Sequence, residues 1–266
     1  MKTIQISEHQ HIGYAADGPT GPVPMVLIHG FPADSSIWEP ILPHLSDIPV
    51  IRIDMPGFGA SSMPASVQLA DYANAIHEAL QQLNVQVCVM VGHSMGGYVA
   101  QEYLKQHATH LKGLCLFHSH PYADDEQRIQ NRHRGIETLQ QGKKDLYVAQ
   151  LFTSQVAPAF AKAHPEIVQK LTETGKQQEA AGIIAALEAM INRRSYVEVL
   201  KHAPCPVQFI FGSEDSLIQL ESGLQAAAMP PVSELHVLPN VGHLSMWEKT
   251  EEAAGFLRKF YEMNDE

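Results

Sequence analysis

The segment Gly92-His93-Ser94-Met95-Gly96 constrains this chain more than any other, because the apolar run Val85 to Val91 enters it and a helix-compatible stretch from Tyr98 to His107 leaves it. A strand that reverses into a helix within so few residues brings backbones close together, and a Cβ at either glycine would collide. The spacing therefore predicts a strand, a sharp turn and a helix, with Ser94 exposed and strained at the apex. A serine hydroxyl is a weak nucleophile at neutral pH. A reactive Ser94 needs a base to take its proton and a third group to orient that base.

Of the 15 histidines, His243 stands apart, late in the chain, after a strand-like run and inside the tight loop Leu238-Pro239-Asn240-Val241-Gly242-His243. The acid candidate is Asp215, in Phe211-Gly212-Ser213-Glu214-Asp215, directly after the apolar run Val207 to Phe211. Asp124 and Asp125, shortly after the run Gly113 to Phe117, are the alternatives for that role. The order Ser, Asp, His along the chain differs from the orders of the two serine protease folds and matches nucleophile-elbow hydrolases.

On these residues the chain resembles the α/β-hydrolases, and the similarity runs almost from end to end. His29-Gly30-Phe31-Pro32, after the apolar run Val26 to Ile28, resembles the family's oxyanion loop. Asp54-Met55-Pro56-Gly57-Phe58-Gly59-Ala60-Ser61 resembles its loop after the next strand. The resemblance implies a catalytic triad of Ser94, Asp215 and His243, with an oxyanion hole made by the backbone N–H groups of Phe31 and Met95. It also argues against halide or epoxide chemistry, for which related enzymes place an aspartate where this chain has Ser94.

A coarse reading gives an antiparallel edge at Thr3 to Ile6 and His11 to Ala15, then strands at Met25 to Ile28, Val50 to Asp54, the elbow strand, Gly113 to Phe117, Val207 to Phe211 and Glu234 to Leu238. Helical patterns at Ser36 to Leu45, Leu69 to Leu83, Tyr98 to His107, Ser216 to Ala228 and Thr250 to Glu262 alternate with them. That alternation predicts an α/β fold with a mostly parallel central sheet flanked by helices. Residues 120–203 carry no strand pattern but helical periodicity at Glu126 to Gln140, Lys144 to Phe152, Pro158 to Thr174, Gln177 to Asn192 and Tyr196 to Lys201. The expected organisation is a core of residues 1–119 and 204–266 with a helical lid, residues 120–203, inserted between them.

At 266 residues the chain suffices for one large α/β domain with a small insertion, and its formal charge of −11 argues against nucleic acid or an acidic membrane as partners. Cys88, Cys115 and Cys205 lie in or beside apolar runs and read as reduced core residues. No stretch approaches the roughly 18 apolar residues of a membrane span. The expectation is a cytoplasmic enzyme without cofactor, acting on a small molecule.

Pocket candidates are Trp38, His118, Tyr122, Tyr147, Phe152 and Leu244, with Phe31 and Met95, which predicts a medium-sized, largely apolar substrate group. Two histidine groups invite a metal reading, His118-Ser119-His120 with Asp124 and Asp125, and His9-Gln10-His11. Neither has an identifiable full ligand set, so no metal site is expected. Glu126, Arg128, Arg132 and Arg134 read as a solvated helix face, or as a lid arginine meeting a substrate carboxylate. The favoured activity is a serine hydrolase cleaving a small ester, thioester, lactone or amide through an acyl-enzyme. The alternatives are a carbon–carbon bond hydrolase, perhydrolase or lyase on the same triad, and a small-molecule receptor that keeps the triad.

Overall fold

The computed structural model describes residues 1–265. Eight strands form one sheet: β1 (Lys2–Gln5), β2 (His11–Asp17), β3 (Met25–Ile28), β4 (Val50–Ile53), β5 (Cys88–His93), β6 (Leu111–Phe117), β7 (Val207–Gly212) and β8 (Ser233–Leu238). Their spatial order is β1-β2-β4-β3-β5-β6-β7-β8. The pairs β1/β2 and β2/β4 are antiparallel and every other pair is parallel. The central strands β3, β5 and β7 are buried along their whole length, as a sheet covered by helices on both faces requires.

Helices α1 (Leu69–Gln82) and α2 (Met95–His107) flank β5 in the chain. The helix expected over Ser36 to Leu45 is a 3-10 helix, Ser35–Leu45, because Pro40 and Pro43 lack the N–H groups that an α-helical ladder needs. Between β6 and β7 run α3 (Glu126–Gln140), α4 (Lys144–Gln155), α5 (Pro158–Ala163), α6 (Pro165–Gln177), α7 (Ala180–Ile191) and α8 (Val197–Lys201), with no strand among them. The single helix expected from Pro158 to Thr174 is two, since a residue before proline is driven out of the helical region; His164, ahead of Pro165, has φ −131° and ψ 56°.

The chain closes with α9 (Leu220–Ala227), α10 (Ser245–Glu248) and α11 (Thr250–Glu262). Helix α9 begins four residues later than its apolar pattern suggested, because the Asp215 side chain takes the Leu217 and Ile218 amides into a turn of its own. All three cysteines are buried and unbridged. No helix among the described residues is long and apolar enough to cross a membrane.

Strand register decides where the loops end up. His93 on β5 lies opposite Phe117 on β6, and Phe117 lies opposite Ile210 on β7. Ser94 and His118, each the next residue along, therefore emerge side by side at the carboxyl edge of the sheet. The pairing continues one residue past the strands: the Ser94 amide donates to Phe117 O at 3.0 Å and the His118 amide to Ile210 O at 2.8 Å. In open α/β sheets this edge is where ligand sites assemble.

Candidate active site

Ser94 occupies a conformation that almost no residue adopts willingly, φ 51° and ψ −114°, at the junction of β5 and α2. The turn is closed by backbone contact, as the sequence suggested: a Cβ on Gly92 would sit 2.4 Å from Gly96 O, and one on Gly96 would sit 2.5 Å from His29 O. Such strain costs on the order of 1–3 kcal/mol and persists only where surrounding structure enforces it. Here the enforcement includes a hydrogen bond from Ser119 Oγ to Ser94 O at 2.8 Å.

His243 and Asp215 meet in the loops after β8 and β7. His243 Nδ1 lies 2.7 Å from Asp215 Oδ2, and both side chains are fully buried. Asp215 Oδ1 accepts the amides of Leu217 and Ile218, each at 2.9 Å. With its Nδ1 side committed, His243 has one free ring nitrogen, Nε2, which is buried and without a hydrogen-bond partner. The backbone of His243 is held by His93, whose Nε2 donates to His243 O at 3.0 Å.

A second histidine, unassigned to this role by the sequence reading, completes the group. His118 Nδ1 lies 2.9 Å from the same Asp215 Oδ2, and its Nε2 lies 2.8 Å from Ser245 Oγ. Its backbone is also in the left-handed region, at φ 49°. Burial by itself would push the Asp215 carboxyl up; the opposing pull of His243 and His118 holds it well below the usual carboxylate range. Burial lowers the His118 pKa despite that carboxylate, so its ring is neutral, with Nδ1 donating to Asp215 and Nε2 accepting from Ser245.

Glu248 on α10 and Gln155 at the end of α4 fix the His243 loop from outside. The Glu248 carboxylate accepts the amides of Gly242, Leu244 and Ala157, the shortest at 2.9 Å. The His243 amide donates to Gln155 O at 2.6 Å, while Gln155 Nε2 donates to Phe31 O at 3.2 Å. The α4 terminus thus ties the histidine loop to the loop after β3. Neither residue carried a sequence signal, since both act through backbone groups.

Ser94 opens into a cavity of about 420 Å³, lined from the sheet side by Phe31, Ser216, Leu217 and Ile218 and from the α3–α7 segment by Arg128, Asn131, Arg132, Tyr147, Leu151, Gln155, Leu187 and Met190, with Tyr98 between. The amides of Phe31 and Met95 donate to no backbone acceptor among the described residues. Of the expected pocket set, Tyr147 and Phe31 line the cavity. Trp38, Phe152 and Leu244 lie in the core instead, because each packs its whole side chain against neighbouring elements. Met95 is likewise fully buried, His118 is spent on Asp215, and Tyr122 packs, tilted, beside His120 outside the lining.

Asp124 and Asp125, the alternative acids, are committed elsewhere, Asp124 to Arg132 and Arg193 and Asp125 to the first turn of α3. The donor atoms of His118, Asp215 and His243 lie within 4.8 Å of one another, a spacing a metal could use, but both Nδ1 atoms already hold the carboxylate. His120, which the metal reading would have grouped with His118, faces Arg128, with Nε2 and Nη1 3.0 Å apart.

Comparison with known proteins identifies the fold family. The family model of the α/β hydrolase fold matches residues 23–250. A 2-succinyl-6-hydroxy-2,4-cyclohexadiene-1-carboxylate synthase of Enterobacter sp. (strain 638) is 25% identical over 236 residues, 88% of this chain and 89% of that protein. The solved structure of a thermophilic esterase from Thermogutta terrifontis, with malate bound, superposes with a TM-score of 0.91 at 26% identity, covering 97% of this chain and 95% of that one. An esterase from Exiguobacterium antarcticum shares the fold, with a TM-score of 0.87 at 22% identity and 98% of each chain covered. With the elbow, the sheet order and a family match over most of its length, the chain belongs to the α/β-hydrolase fold family.

Proposed function

We propose that the protein is a serine hydrolase that cleaves a small ester through an acyl-enzyme formed on Ser94. One observation carries the reading: a buried imidazole, His243, is oriented by a buried carboxylate through Nδ1 and leaves Nε2 unpartnered, at the edge of the sheet where Ser94 emerges. A buried polar atom without a partner costs free energy, and a catalytic base is a reason to retain one.

In the proposed cycle Ser94 Oγ attacks the carbonyl carbon while His243 Nε2 takes the hydroxyl proton. The negative charge that develops on the carbonyl oxygen falls to the amides of Phe31 and Met95. Each such donor is worth about 3–4 kcal/mol in the transition state. Collapse breaks the bond to the alcohol, which leaves with the proton from His243. Water then attacks the acyl carbon, His243 takes its proton, and that proton returns to Ser94 Oγ as the acid departs. Asp215 stays ionised throughout and holds the imidazole tautomer. Residues 120–203 serve as the lid, closing the cavity from water on the side opposite the sheet.

A second reading is favoured by the synthase relatives: the same side chains abstract a proton and expel a leaving group without acylating Ser94. The test is turnover of p-nitrophenyl esters from acetate to dodecanoate by the protein and by Ser94→Ala. Ester turnover that vanishes in Ser94→Ala, with an acyl adduct on Ser94 seen by intact-mass measurement, supports the hydrolase. Ester turnover that survives the substitution overturns it.

A further inference from the structure

The cavity holding Ser94 is lined mostly by apolar and aromatic side chains, and it also carries charge. Its lining contains two guanidinium groups, Arg128 and Arg132, and no carboxylate. Behind them lies a third, Arg193, fully buried and stacked 3.5 Å from the ring centroid of Tyr98, itself a lining residue. One acid pairs with two of the three. Asp124, also fully buried, takes Arg132 through both carboxylate oxygens and Arg193 at 2.9 Å. Arg128 has only neutral partners, His120 Nε2 at 3.0 Å and Leu217 O at 2.8 Å.

The surplus is felt locally. His120, beside this group, is driven down to about 3, first by burial and then by Arg193 and Arg128. Among the described residues, neither Arg128 Nε nor Arg132 Nη1 donates to a protein acceptor. A positive surplus in a partly dehydrated cavity is costly unless an anion shares the space. That it persists in a chain of net charge −11 makes it a local feature and no reflection of composition.

We infer that the cavity selects an ester carrying a free carboxylate, with Arg128 and Arg132 as its counter-ions. This rests on the hydrolase reading above, and of the two readings of the α3 arginines it takes the one in which they meet a substrate carboxylate. The planar fork of a guanidinium matches a carboxylate edge, so the pair fixes orientation as well as charge. The anionic end anchors against α3 while the scissile carbonyl is presented to Ser94 across the cavity.

The experiment compares monoethyl hemiesters of succinate, glutarate, adipate and suberate with the same esters carrying a terminal amide in place of the carboxylate. The matched amide keeps size and polarity and removes only the charge. Expected is a kcat/KM advantage for the carboxylate of about ten- to a hundredfold at the best chain length, shrinking as sodium chloride is added. Arg128→Gln, whose lost partners are neutral, should bring that ratio close to unity; because the ratio is internal, general damage cancels. Equal or better turnover of the amides at every length overturns the inference, as does an unchanged ratio in Arg128→Gln. Calorimetric binding of monoethyl adipate to Ser94→Ala separates the two readings. Salt-sensitive binding that Arg128→Gln removes supports the anion site even if no ester is turned over.

Discussion

Asp215 receives two imidazoles on one oxygen: His243 Nδ1 at 2.7 Å and His118 Nδ1 at 2.9 Å from Oδ2. With two backbone amides on Oδ1, the carboxylate has its donors on both oxygens and cannot rotate without losing one. Asp215→Asn replaces an acceptor by an amide that can accept through only one atom, so an imidazole loses its orientation. The expected fall in kcat is about 10⁴, with little change in KM. His118→Leu keeps the ionised Asp215 and removes one of its donors, so kcat should fall only about tenfold while the urea midpoint drops by the equivalent of roughly 2 kcal/mol. Full activity in Asp215→Asn would remove the acid assignment.

Ser94 pairs its proposed role with strain. Glycine tolerates φ 51° and ψ −114° far better than serine does. Ser94→Gly should therefore raise stability by about 1 kcal/mol, after the entropy that glycine adds to the unfolded chain, while abolishing ester turnover. Urea unfolding beside an ester assay checks both halves; a destabilised Ser94→Gly would mean that the hydroxyl itself holds the turn.

Glu248 touches no reacting atom in the proposed cycle and positions the loop that carries His243. Burial pushes its carboxyl up in spite of three amide donors. Glu248→Ala orphans those amides and frees the His243 loop, and a misplacement of about 1 Å costs roughly a hundredfold in rate. The expected pattern is a loss in kcat with KM nearly constant, partly rescued by Glu248→Gln, which keeps one acceptor oxygen. An equal loss in both variants, or a change confined to KM, would point to the cavity instead.

Acid should unfold the protein early. Burial lowers the pKa of His29, His93 and His118, and it lowers that of His120 to about 3. In the unfolded chain these groups titrate near about 6.5. As pH falls past that value the unfolded state binds protons that the native state refuses, so stability declines until the lowered native values are reached. Above about pH 7 the contribution is constant. The Asp215 contribution has the same sign in a lower window, present above about pH 4 and lost below it. Urea midpoints measured at about pH 8, 6.5 and 5 should fall through the last interval. A flat profile there would mean that water reaches these rings.

The sequence alone determined the parts of this protein whose chemistry is local. A strand-to-helix reversal needs its glycines within a few residues of Ser94, and apolar periodicity marks each strand and helix, so the fold class, the elbow and the candidates His243 and Asp215 were legible without coordinates. Tertiary structure decided what depends on residues far apart in the chain. His118 and Asp215 are 97 positions apart, and only the register of β6 on β7 brings them to one edge. Arg128 and Arg132 have the spacing of a solvated helix face, and only the packing of α3 turns them into the cavity of Ser94. Periodicity reports which face of an element is apolar; it carries no information about which polar face another element will cover. That is why the chain disclosed its candidate nucleophile but left open which way the α3 arginines face.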